Sequence, residues 1–177
     1  MSQSFSFPEA IARSQEIMQQ INDNQLSEAE IEAAIASIVS TQPGARGFFV
    51  AYLTDNLPLA DNPSEGVIKG LRSSPAIVSD LLVKNVAMSA AMKVTHLRNE
   101  DETAAVGSER VKHRSINLIE QLKLPQINSE IKDLQSTIIE GEGNYREFLA
   151  KWGYDEEQQQ IISQAISTID ASTNETF

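Results

Sequence analysis

The sequence predicts an all-α protein: a bundle of about seven to nine helices around one central apolar helix over residues 75–99. Three observations lead there. The segment from Pro75 to Asn99, PAIVSDLLVKNVAMSAAMKVTHLRN, opens on a proline suited to a first helical turn and has no glycine or proline inside. Its apolar residues, from Ile77, Val78, Leu81 and Leu82 to Val94 and Leu97, occupy most of the helical circumference, so other helices must wrap it. Start and stop signals punctuate the rest of the chain at helical lengths, and no segment reads as a strand with a partner to pair with.

The elements follow in order. Residues 1–6 read as a tail, residues 7–170 as a single helical domain and residues 171–177 as a second tail. Pro8 opens a helix to about Asn22, with Ala10, Ile11, Ile17, Met18 and Ile21 on one face and Ser14 as its polar exception. Ser27 and Glu30 form a capping-box signature for the next helix, whose stripe is Ile31, Ala34, Ile35, Ile38 and Val39, and Pro43-Gly44 is expected to end it. Residues 45–55, ARGFFVAYLTD, suit a buried strand or a short helix by periodicity. Helix is preferred because a lone strand has no partner.

NLPLADNPS, residues 56–64, is a loop, and Ser64 caps a short helix to about Ser73. Gly66 and Gly70, spaced i, i+4, give that helix a flat face for the backbone of another. After the central helix, Asp101 or Thr103 caps a helix to about Lys123, with Gly107 as its weak point, and Pro125 opens another that Gly141 and Gly143 end. Val111, Ser115, Leu118 and Leu122 step by the same intervals as Ile127, Ile131, Leu134 and Ile138, which predicts an antiparallel seam between these two helices. A short helix over Tyr145 to Trp152 stops at Gly153, and Asp155 caps the last one.

Composition narrows the function classes. A chain of 177 residues buries on the order of 70% of its unfolded surface and needs no disulfide. It has no cysteine, which excludes thiolate chemistry and fits a cytoplasmic setting. The start lacks a basic segment followed by an apolar one, and Asp80, Lys84 and Lys93 interrupt the best candidate membrane span. The net charge is −11, with two basic and seven acidic residues over 1–60, nine and eight over 61–123, and three and ten over 124–177. That distribution opposes nucleic-acid binding, which needs a basic footprint.

No catalytic constellation is visible. There is no G-x-S-x-G nucleophile turn and no phosphate-cradling glycine loop. His96 with Glu100 and Glu109 with His113 are i, i+4 pairs, so His96 and Glu109 are the candidate metal ligands. The chain lacks the Glu-x-x-His pairs of dimetal bundles, and cations flank His113, so no metal and no cofactor are expected. Met88, Met92 and His96 are the candidates for lining an apolar pocket, against plain core packing. Arg110, Lys112 and Arg114 form the one local basic cluster, readable as a partner surface or as a solvated helix face. Tyr145, Phe148 and Trp152 fall on one helical face and suit either an interface or the core.

Two function classes follow. The first is a non-enzymatic helical interaction or regulatory protein that self-associates as a two-fold dimer, with a protein partner as a further possibility. The alternative is a bundle binding a small apolar ligand or cofactor beside the central helix.

Overall fold

The computed structural model describes residues 3–174, with residues 170–174 described by backbone alone. The described residues are all-α. In order the helices are α1 (Phe7–Asn22), α2 (Glu28–Val39), α3 (Gln42–Thr54), α4 (Glu65–Arg72), α5 (Pro75–Arg98), α6 (Glu102–Leu122), α7 (Pro125–Glu140), α8 (Arg146–Trp152) and α9 (Glu156–Asn174), with a 3₁₀ turn at Pro58–Ala60. Two compact units divide the chain. One ends at Leu81 and the other begins at Leu82, inside α5. The tails expected over 1–6 and 171–177 fall partly outside the described residues; of the rest, Ser6 caps α1 and α9 runs on to Asn174.

In the first unit the helices pack in two close pairs, α1 with α3 and α2 with α4. Glycines permit both. A Cβ on Gly47 of α3 would stand 2.5 Å from the Ala10 Cβ and 2.8 Å from the Phe7 carbonyl of α1. On α4, a Cβ at Gly66 would stand 2.4 Å from the Glu28 carbonyl, and one at Gly70 would stand 2.7 Å from the Ile35 Cβ. The flat face read from the Gly66 and Gly70 spacing is therefore the surface on which α2 lies. Glu28 adds a polar tie, since its carboxylate accepts a hydrogen bond from the Gly66 N–H in the first turn of α4. An anionic acceptor at a helix N-terminus also complements the macrodipole.

Two local readings of the sequence are resolved here. Residues 45–55 fall almost entirely within α3, with Phe48, Phe49, Tyr52 and Leu53 buried. Pro43-Gly44 does not end α2, which stops at Val39; it lies in the first turn of α3, capped by the Thr41 hydroxyl. Proline suits a first turn because its missing N–H would have no intrahelical partner there. The capping box of Ser27 and Glu30 is present, and a second joins Ser6 and Glu9.

In α5, Val78, Leu82, Val83, Val86, Ala87 and Ala91 are fully enclosed. Enclosure fades from Met92 onward, and Leu97 in the last turn is 53% exposed. In the second unit, Ser115, Leu118, Leu122, Ile127, Ile131 and Leu134 are buried, as the seam spacing implies. Their helices do not form the expected hairpin seam: α6 and α7 each approach α9 more closely than each other. Gly141 and Gly153 close α7 and α8 in the left-handed conformation that glycine adopts without steric cost.

Close packing and open space give opposite expectations for adding one methyl group. Gly66→Ala is expected to lower stability by about 1–3 kcal/mol, because backbone stands where the methyl would go. Gly107→Ala, whose Cβ would meet nothing within 4 Å, is expected to raise stability by about 0.5–1 kcal/mol. Chemical denaturation of the two variants checks both signs.

Candidate functional site

The site lies in the second unit, where α9 begins beside the end of α5. Asp155 caps α9 by accepting from the Gln158 N–H at 2.9 Å, and the Gln158 carbonyl oxygen accepts in return from the Asp155 N–H at 3.1 Å. That reciprocal pair leaves the Gln158 amide NH₂ facing α5. It donates to the Ala91 carbonyl at 3.1 Å and to the Thr95 hydroxyl at 2.9 Å. Gln158 is only 7% exposed, so these bonds form away from water, where an unmade bond is costly.

One turn further along α5, Arg98 reaches Asp155 at 2.6 Å and also pairs with Glu157. Hydrogen bonding to the Arg98 guanidinium, then to the Gln158 N–H, holds the Asp155 carboxyl below its ordinary range. The same contacts, Asp155 first, push Arg98 further up.

Beyond this clasp, α5, α6 and α9 border an open groove of about 720 Å³. Its apolar lining is Ala90, Val94 and Leu97 from α5 with Ile161 and Ala165 from α9. Polar groups rim it: Lys93 and Arg98 from α5, Lys112 from α6, and Glu157, Gln164 and Thr168 from α9. The volume is within the range of small-ligand sites, with five apolar and six polar residues on the wall.

Lys93 and Lys112 converge on one carboxylate. The two oxygens of Glu109 each take one ammonium, both at 2.9 Å. Burial raises the Glu109 carboxyl, but hydrogen bonds from Lys112 and Lys93 outweigh it, and the group stays below its ordinary value. The candidate metal pair of His96 and Glu109 therefore meets a carboxylate already engaged by two cations. Among the described residues no three His, Asp or Glu side chains gather as a metal site.

The other sequence candidates separate. Met88, Met92 and His96 do not line the groove: Met88 and Met92 lie about half a turn around α5 from it and His96 about a third of a turn. The basic cluster divides: Lys112 rims the groove, Arg110 is on the surface, and Arg114 is buried at 3% exposure, which withdraws it from any surface contact. The aromatic trio divides too. Tyr145 is core, its hydroxyl donating to Glu130, and it meets Phe148 edge to face at 6.1 Å. Lys84 lies 5.8 Å from both ring centroids. Phe148 also meets Tyr154, whose phenol burial pushes up to about 12. Trp152 is 47% exposed beneath the Lys151 ammonium and is the member of the trio that a partner could reach.

The sequence reading missed Gln158, Arg98 and most of the groove. The available signal was weak: Asp155-x-x-Gln158 has capping-box spacing, and residues 90, 93, 94, 97 and 98 share one face of α5.

A family model described as "Uncharacterised conserved protein UCP020893" matches residues 6–169. The chain belongs to that family. The match spans every helix from α1 to α8 and most of α9, so the clasp and the groove, which ends at Thr168, lie wholly within the family's extent. No curated protein and no solved structure matches the chain. No helix among the described residues is long and apolar enough to cross a membrane.

Two expectations follow from the clasp and from the Glu109 carboxylate. Gln158→Ala is expected to cost about 1–3 kcal/mol in chemical denaturation. Gln158→Glu is expected to cost more at neutral pH, because a carboxylate opposes the Ala91 carbonyl instead of donating to it. The carboxyls of Asp155 and Glu109 are lower in the folded chain than unfolded, so their contribution is complete above the ordinary carboxyl range and declines as pH falls below about 4. Denaturation at neutral pH and near pH 3 should show that loss, and the double variant Asp155→Asn with Glu109→Gln should show a shallower one.

Proposed function

We propose that the protein is a non-enzymatic helical binding protein that holds a small apolar ligand in the α5–α6–α9 groove. The observation supporting this reading is the groove itself: an open cleft of ligand size beside α5 with an apolar strip of Ala90, Val94, Leu97, Ile161 and Ala165, its helices tied at one end by Gln158 and Arg98. It takes the second of the two function classes in the sequence, with the ligand seated against Val94 and Leu97 in place of Met88 and Met92. A cytoplasmic setting belongs to the same proposal.

Self-association is a separate reading, favoured by the exposed Trp152 and by Arg110 on the surface of α6. A light-scattering mass near 19.5 kDa across micromolar concentrations would contradict it.

The ligand reading is tested by titrating the full chain with an environment-sensitive apolar dye. Saturable binding by the native chain is expected, with a loss of about tenfold or more in affinity when Val94→Phe and Ala165→Phe fill the groove and circular dichroism is unchanged. Equal binding by native and filled chains, or none by the native chain, would overturn it.

A further inference from the structure

We infer that the groove's ligand is a single-chain amphiphile ending in a carboxylate, with its head between Lys93 and Lys112. This rests on the groove-binding reading above and adds the chemistry of the occupant. The groove is elongated: Ala90 to Leu97 covers about 10 Å of α5 and Glu157 to Thr168 about 16 Å of α9, the reach of a medium-length alkyl chain.

The charges on its rim are unevenly compensated. From residue 82 onward the chain has ten Lys or Arg and fifteen Asp or Glu, yet three of those cations and one of those acids line the groove among the described residues. At one place, Arg98 faces two carboxylates, Asp155 and Glu157, which leaves a net negative charge. At another, Lys93 and Lys112 share the single carboxylate of Glu109, which leaves a net positive one.

An anionic head is therefore favoured at the two lysines and opposed at the Arg98 end. Each ammonium carries three N–H donors, and one from each is spent on Glu109. The remaining donors can bind two further acceptor oxygens, which a carboxylate supplies. Glu109 is the positioning residue, since its two oxygens hold the two ammoniums beside each other. The apolar tail then runs along Val94, Leu97, Ile161 and Ala165.

Calorimetric titration with decanoate and with decanol separates head from tail. The native chain is expected to bind decanoate about tenfold or more tightly than decanol, the gain of a charge-assisted hydrogen bond. Lys93→Gln and Lys112→Gln should each weaken decanoate binding and leave decanol binding unchanged. The charge-retaining Lys112→Arg should keep most of the preference, and Lys151→Gln, outside the groove, should keep all of it. Equal affinity for the two probes, or a preference that survives loss of both lysines, would overturn the carboxylate assignment and leave the groove-binding reading standing. Binding of neither probe would overturn both.

Discussion

The second unit depends on one buried amide. Gln158 closes the cap of α9 with its oxygen and ties α9 to α5 with its nitrogen, so the start of one helix is fixed in height and rotation against the end of another. A carboxylate of the same shape could accept from Asp155 but could not donate to Ala91. Arg98 repeats the connection at the surface with Asp155 and Glu157, where exposure and screening make each ion pair worth little alone. The groove lies along the same two helices, so the clasp and the site share one structural cause.

The two units pack by different means. In the first, Gly47, Gly66 and Gly70 remove the side chain at the contact, and backbone meets backbone or Cβ. In the second, long side chains separate the helices: α5 meets α6 through Lys93 and Glu109, and α9 through Gln158 and Arg98. Helices held apart at their edges by long polar side chains, with small residues such as Ala90 and Ala165 between, leave a groove. Open space is thus a consequence of which residue types stand at the crossing points.

Much of the fold was legible because its signals are local. Ser27 with Glu30, Ser64, Asp101, Gly141 and Gly153 mark helix ends through contacts within a few residues, and each acts where the spacing placed it. Gly66 and Gly70 announced a close approach because few other roles suit two glycines on one helical face. Pro43-Gly44 was misplaced because the same dipeptide serves a helix end and a first turn, and only the position of Thr41 as cap decides between them. The groove was less legible. It joins residues of α5, α6 and α9 that are up to 78 positions apart in the numbering, Ala90 to Thr168, and no periodicity links one helix to another. Arg114 was misread as surface because its neighbours in the RVKHR stretch are charged, whereas its side of α6 turns inward.

The central claim is that the space beside the clasp receives an apolar chain. Methyl-resolved nuclear magnetic resonance of the 177-residue chain, titrated with decanol, tests it most directly. The account predicts that the methyl signals of Val94, Leu97, Ile161 and Ala165 shift together and saturate, while those of Ala10, Ile35 and Ala51 stay in place. Shifts confined to the first unit, or unchanged signals from the four groove residues at saturating decanol, would contradict it.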